Sequence, residues 1–348
     1  MRGMRPCDLR LEHIAEAVGV PLGRLFAISE DTAPFYKPTR RKYVPGGKLR
    51  QIDEPKPWFK GVLRKLHKFL QRNFAFHPAA HGGVTGRSCF TAANLHLGRF
   101  AVATRDVSDC FPSVTTQEMR KRLLDLGFRF HVAHLLARLL THKNCIPQGS
   151  PISNDALNFC LYDLDAKATS ACGRDVVYTR TADDHVISSD NLERLAEISD
   201  LVEREIADHG LTLNEKKRTR NGLVVSPSCQ LVHSIAVNHS RGTRINPAYA
   251  ADYTELAHRY VRAARSVSAE SLQGVARLRR KLAGSVNYCR QAHFSPASNL
   301  TRLLRTGDRL VERKLSQHGV TRSRKWWVSN KRRDRAKEYA SIWRSKGH

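Results

Sequence analysis

The tightest constraint on this chain lies in its middle. Between Asp175 and Ser188 two apolar runs, Val176-Val177-Tyr178 and Val186-Ile187, flank the four residues Thr181-Ala182-Asp183-Asp184. β-Branched and aromatic residues on both sides of a short polar break predict a β-hairpin, and here two adjacent carboxylates occupy its tip. An Asp-Asp pair in isolation is more often solvated turn chemistry than a metal site, so its surroundings decide. Upstream, Phe100 to Thr104 reads as a strand ending in Asp106. Downstream, Asn191 to His209 reads as an amphipathic helix, with Leu192, Leu195, Ile198, Val202 and Ile206 at helical spacing, an Asn near its start and Gly210 as its stop. Strand, hairpin and helix together predict an α+β sheet domain.

Charge supplies that context. The 348 residues carry 59 Lys+Arg against 32 Asp+Glu, a formal net charge of +27. An excess of this size favours a polyanionic partner, most simply nucleic acid. Three acids placed on neighbouring strands of so basic a protein stand out. Asp106, Asp183 and Asp184 would repel one another unless cations neutralise them, and hard oxygen ligands suit Mg²⁺, which keeps positions for water and substrate phosphate. Two such ions about 4 Å apart clamp both oxygens of an in-line phosphoryl transfer. The chemistry implied is nucleotidyl transfer.

The remaining sequence excludes several alternatives. Hydrophobic residues make up 41% of the chain, enough for a sizeable core and against wholesale disorder. No apolar run approaches the roughly 20 residues that span a bilayer, and the opening Met-Arg-Gly-Met-Arg-Pro lacks an apolar segment behind its charge, so no membrane partner and a cytoplasmic location are expected. The eight cysteines contain no CxxC pair, which argues against a zinc ribbon or a disulfide framework. Cys229 and His233, four apart, read as packing residues.

Helical spacing recurs on both sides of the sheet residues. An amphipathic opening (Leu9, Leu11, Ile14, Val18) precedes a basic, turn-rich stretch from Lys37 to Arg50. From Trp58 to Phe74 the spacing of Val62, Leu66, Phe69 and Leu70 is helical, and Lys60, Arg64, Lys65, Lys68 and Arg72 lie mostly around the other faces, with Lys60 and Arg64 candidate nucleic-acid contacts. Thr116 to Leu126 reads as a helix closed by Gly127. After Asn246-Pro247 the composition turns to Ala, Arg and Leu, with helices predicted through Leu278 to Arg290 and Leu300 to Leu315. Residues 321–348 carry ten Lys+Arg against Asp334 and Glu338, with Trp326, Trp327 and Trp343 interleaved. A bare charge run reads equally as a solvated face, but aromatics among cations suit base stacking, and Lys325, Trp326 and Trp327 are the candidate contacts.

An ordered series of motifs resembles the bacterial reverse transcriptases, most closely the retron type, over roughly residues 35 to 315. Phe100-Ala-Val-Ala-Thr-Arg-Asp106-Val-Ser-Asp109-Cys-Phe111-Pro-Ser is similar to the family's first catalytic strand, and Ile146-Pro-Gln148-Gly149-Ser-Pro151-Ile-Ser153 to its QGxPxS motif. Thr179-Arg-Thr181-Ala182-Asp183-Asp184 resembles the YxDD box, and Gly210-Leu-Thr-Leu-Asn214-Glu-Lys-Lys217 the segment that ends in a lysine. Arg50-Gln-Ile52-Asp-Glu-Pro55 resembles the RxIxxP fingers motif, and Ala80-His81-Gly82 the approach to the palm. The order makes the set far more specific than any one motif.

The resemblance implies a right-hand polymerase: N-terminal helices and fingers over 1–99, a palm with an antiparallel sheet packed on helices over 100–240 (including a fingers part near 128–150), an α-helical thumb over 241–318 and a basic tail over 319–348. Asp106, Asp183 and Asp184, with the carbonyl of Val107, would hold two Mg²⁺. Phe111 stands where an aromatic side chain underlies the incoming dNTP sugar and clashes with a 2′-OH. Arg50 and Gln148 would contact the incoming nucleotide, Arg50 through its planar guanidinium, and Lys217 would sit by the pyrophosphate. Asp109 reads equally as a helix-start acid. Leu278 to Tyr288 resembles the thumb helix, whose Arg279, Arg280 and Lys281 would track the duplex backbone. The implied partners are a cognate structured noncoding RNA, its RNA-DNA hybrid and an effector protein from the same locus, in antiviral defence with RNA-linked DNA.

The chain also departs from the pattern. Thr181 replaces the aromatic residue of the YxDD box. Ala92-Ala93-Asn94-Leu95-His96 keeps the His of the NAxxH motif, as a further nucleic-acid contact, and loses its first Asn; the VTG motif becomes Val232-His233-Ser234. Two other readings stand beside the polymerase: a catalytically silent RNA-binding or scaffold protein, and a defence polymerase with untemplated or protein-templated synthesis.

Overall fold

The structure, a computed structural model, describes residues 4–43, 49–215 and 222–317. The chain divides into two units, Met1–His233 and Ser234–His348.

The first unit opens with α1 (Leu11–Val18) and α2 (Leu22–Glu30), then an antiparallel pair, β1 (Arg40–Tyr43) and β2 (Leu49–Ile52), and α3 (Pro57–Asn73). Next come α4 (Cys89–Leu95), β3 (Ala101–Ser108), α5 (Cys110–Ser113), α6 (Thr116–Asp125), α7 (Phe130–Leu140), α8 (Ser153–Cys160) and α9 (Tyr162–Cys172). A hairpin of β4 (Val176–Thr181) and β5 (Asp184–Ser189) leads into α10 (Leu192–Asp208), β6 (Thr212–Leu213), β7 (Leu223–Val225) and β8 (Leu231–Val232).

The central sheet runs β4-β5-β3-β6, with β7 also paired to β3, and each pairing is antiparallel. One set of alternating residues, Ala101, Ala103 and Val107 on β3 with Val176 and Tyr178 on β4, joins a core that includes Leu195, Ile198, Val202 and Ile206 of α10. Helix α10 starts where Asn191 Oδ1 accepts from the backbone N–H of Glu193 at 2.9 Å and of Arg194 at 3.1 Å. The predicted α+β class is the one observed. The strand expected to end in Asp106 continues to Ser108, because β6 pairs with Val107 and Ser108; Asp106 therefore lies inside a strand.

The second unit begins with an antiparallel pair, β9 (Ile235–Ala236) and β10 (Arg244–Ile245), followed by α11 (Pro247–Arg265), α12 (Leu272–Cys289) and α13 (Ala297–Gln317). Helix α11 has Asn246 as N-cap and Pro247 at its first position. Helices α11 and α13 meet closely at Gly307, where any Cβ would stand 2.3 Å from the Tyr260 ring. The basic tail expected over 319–348, with Lys325, Trp326 and Trp327, lies outside the described residues.

Candidate active site

The hairpin tip is tighter than the sequence implied. Thr181 and Asp184 are paired strand residues, so only Ala182 and Asp183 form the turn. Ala182 has φ +56°, a conformation that glycine adopts more readily, so the surroundings must hold it. Two segments do so. The 79–82 stretch lies against β4: Arg180 N–H donates to Ala79 O at 2.8 Å and His81 N–H to Arg180 O at 2.7 Å. Gly82 abuts the turn itself, where a Cβ would stand 2.5 Å from Ala182 N, so no other residue fits. From below, the guanidinium of Arg180 donates to Ala182 O at 2.9 Å and to both carboxylate oxygens of Asp165 at 2.9 and 2.7 Å, with Arg180 and Asp165 both fully buried. Burial alone would lower the Arg180 pKa, but the adjacent Asp165 carboxylate raises it, so the guanidinium keeps its charge. Tyr178 OH also donates to Asp165, at 2.8 Å, and Asn158 Oδ1 accepts from Arg180. Nothing in the sequence pointed to this network, because Asp165 lies on α9 and looks like an ordinary helical acid.

Register brings the acids together. Asp106 on β3 is directly opposite Asp184 on β5, and Val107 N–H donates to Asp183 O at 3.1 Å. Residues opposite each other in an antiparallel pair have Cβ atoms roughly 5 Å apart, and like charges there are destabilising without a counter-charge. Each carboxylate has found a neighbour: Asn214 Nδ2 donates to Asp106 Oδ2 at 2.8 Å, and His233 Nδ1 lies 3.0 Å from Asp184 Oδ2. Among the described residues no three His, Cys, Asp or Glu side chains converge as a closed metal cage. Backbone register sets Asp106 opposite Asp184, whose carboxylates are turned to Asn214 and His233, and the turn places Asp183 next to Asp184. Hard carboxylates opposed across two strands still fit a hard divalent cation, which would remove their repulsion.

Beside the acids lies a pocket of about 300 Å³ lined by Arg50, Asp109, Phe111, Gln148, Asn154 and Asp183 among others. Three of the four residues expected at the nucleotide thus share one cavity with Asp183; the fourth, Lys217, falls outside the described residues. The QGxPxS segment is held by close backbone contacts. Gly149 has φ +114°, and a Cβ there would meet Ile52 Cγ2 at 2.9 Å, while Asp53 N–H donates to Gln148 O at 2.8 Å. Ser153 Oγ closes the loop by donating to Pro147 O at 2.5 Å. Phe111 is half-buried and packs on the core. Asp109, at φ +46°, is the N-cap residue of α5 without a capping side-chain bond, and it lines the pocket.

Two expected nucleic-acid contacts need correction. His96 is fully buried, with Nδ1 at 2.7 Å from Ser188 Oγ and Nε2 at 2.8 Å from Thr179 Oγ1, and burial pushes its pKa down to about 3. It is a neutral strut between α4 and the hairpin, out of reach of any nucleic acid. Arg279 pairs through Nε and Nη2 with Asp308, at 2.9 Å each, and is half-buried, so it ties α12 to α13. Lys60 is half-buried against Glu54 at 3.1 Å, whereas Arg64, Arg280 and Lys281 are exposed. Thr181, in the aromatic position of the box, has its Oγ1 buried without a hydrogen bond. His233, read from the sequence as a packing residue, instead touches an acid 49 residues away; the altered Val232-His233-Ser234 triplet was the signal that could have found it.

Residues 39–227 match the family model described as reverse transcriptase (RNA-dependent DNA polymerase). The chain is 31% identical over 261 residues to Retron Mx65 reverse transcriptase of Myxococcus xanthus, covering 66% of this chain and 58% of that protein. It is 26% identical over 185 residues to Retron Ec86 reverse transcriptase of Escherichia coli, covering 53% and 58% respectively. It thus spans 58% of the length of each of these curated relatives. Among solved structures, telomerase from Candida albicans with a TWJ fragment of telomeric RNA aligns at 10% identity and a TM-score of 0.42, over 88% of this chain and 63% of that one. No helix among the described residues is long and apolar enough to cross a membrane.

Proposed function

The chain belongs to the reverse transcriptase (RNA-dependent DNA polymerase) family, and from that premise we propose that it copies RNA into DNA at the acid turn between β4 and β5, as a divergent relative of the retron enzymes. The observation that carries this reading is the shared pocket: Arg50, Phe111 and Gln148 line one cavity with Asp183, beside the opposed Asp106 and Asp184. A protein that only bound RNA would have no use for acids concentrated where phosphates must approach.

Asp106, Asp183, Asp184 and the Val107 carbonyl are the groups that would hold two Mg²⁺, which when bound supply Lewis-acid polarisation of the transferring phosphoryl group. The protein's own residues do the rest. Arg50, exposed near the start of β2, takes the triphosphate oxygens in its planar fork. Gln148 lies along the nucleotide on a loop stiffened by Gly149 and Ser153, and Phe111 excludes a 2′-hydroxyl by bulk. Lys217 neutralises the departing pyrophosphate. In this reading residues 1–99 form N-terminal helices and fingers, 100–240 the palm, 241–318 the thumb and 319–348 a basic tail. The template is a structured noncoding RNA, held by exposed cations such as Arg64, Arg280 and Lys281, and the product is RNA-linked DNA made in the cytoplasm for antiviral defence.

The test is to purify wild-type protein and the Asp183→Ala/Asp184→Ala variant from cells carrying the native locus and to sequence all copurifying nucleic acid. The proposal expects a defined DNA joined to RNA with wild type alone. The same RNA and no DNA in both preparations would favour a binding protein and overturn it.

A further inference from the structure

The turn that replaces the VTG motif reaches the catalytic acids. His233 has φ +50° and Ser234 φ +66°, two successive non-glycine residues in the left-handed region. Such a backbone persists where side-chain contacts over-determine it. The side chain of His233 is 8% exposed, and its Nδ1 stands 3.0 Å from Oδ2 of Asp184. An ionised carboxylate only accepts, so Nδ1 carries the proton in this contact. Nε2 is buried and without a hydrogen-bond partner. Among the described residues the imidazole is thus held by one polar contact, and that contact is to an acid of the reaction centre. Asp184 needs such a partner, because it faces Asp106 across the β3–β5 pair, and two opposed carboxylates would otherwise swing apart to lower their repulsion.

We propose that His233 is a positioning residue for catalysis: its Nδ1–H fixes the Asp184 carboxylate in the orientation that binds the divalent cation. The inference rests on the polymerase reading above, in which Asp184 is a metal ligand. Groups that hydrogen-bond a ligating carboxylate set its direction, and losing one typically weakens metal binding or activity by about 10- to 100-fold.

Three variants test it. His233→Phe keeps a ring of similar shape and removes the donor. His233→Asn places an amide N–H near the Nδ1 position and tolerates positive φ. His233→Gly removes the side chain and relieves the backbone. The probes are Mn²⁺ affinity, read from free Mn²⁺ by electron paramagnetic resonance, and steady-state dTTP incorporation on oligo(dT) annealed to poly(rA), with thermal melting as the control for folding. The expected result for Phe and Gly is Mn²⁺ affinity lowered about 10-fold or more, kcat lowered to match and KM for dTTP unchanged, with Asn restoring most of both. If the Phe variant melts far below wild type, the Gly and Asn pair decides. Wild-type Mn²⁺ affinity and kcat in the folded Phe or Gly variant would overturn the proposal while leaving the polymerase reading intact. Failure of the wild-type protein itself to bind Mn²⁺ and to extend the primer would overturn that reading, and this inference with it.

Discussion

Phe111 shows how much one residue can decide. It is half-buried against the core and lines the cavity that also holds Arg50, Gln148 and Asp183. Under the proposed function a ring in that place rejects a 2′-hydroxyl by overlap, so Phe111→Ala should admit rNTPs. The expected change is a fall of about 10- to 200-fold in the dNTP/rNTP ratio of kcat/KM, the range over which steric discrimination of small groups operates. Competitive single-nucleotide incorporation measures it, and an unchanged ratio would remove Phe111 from the sugar gate. Residues of this kind are legible in a sequence because their chemistry conflicts with their setting: three acids in a chain of net charge +27 need a reason. Residues that act through burial are not legible. His96 looked like a solvent-facing contact and is a fully buried strut, and His233 carries no local sign that it meets Asp184.

At the scale of elements, the β4–β5 hairpin was legible because two short runs of β-branched and aromatic residues around a polar break define it locally, and α10 because its cap, stripe and stop all agree. The last two residues of β3 were not, since pairing by β6, distant in sequence, adds them. Nor was the support beneath the hairpin. Asp165 on α9 reaches Arg180 on β4 through a fully buried, bidentate ion pair, and Arg180 then holds Ala182 O in the strained turn. Removing one partner of a buried pair leaves the other charge uncompensated, so Asp165→Leu should cost about 3–5 kcal/mol of stability. Urea unfolding followed by circular dichroism checks this. A loss below about 1 kcal/mol would mean that the pair does not anchor the turn.

At the scale of the whole molecule, the basic surface and the buried neutral imidazoles answer to solution conditions in different ways. Burial lowers the pKa of His96 to about 3 and that of His81 to about 4, with Arg99 adding to the shift of the first and Arg87 to that of the second. An unfolded histidine titrates near 6.5, so below that pH the unfolded chain binds more protons than the folded one, and stability falls as pH drops from about 6.5 towards 4. For His96 alone the loss at pH 5 is about 2 kcal/mol. Urea midpoints at pH 7 and pH 5 measure it, and equal midpoints would contradict the buried, neutral assignment. The central claim remains that Asp106, Asp183 and Asp184 polymerise DNA on RNA. Its most direct test is single-turnover incorporation of each dNTP on a DNA primer annealed to an RNA template of defined sequence, for wild type and Asp183→Asn. The account predicts that wild type adds the dNTP complementary to the template and that the variant adds it at least about 10³-fold more slowly, the scale of losing a principal electrostatic group. Addition that ignores the template, or equal rates in the two proteins, would contradict it.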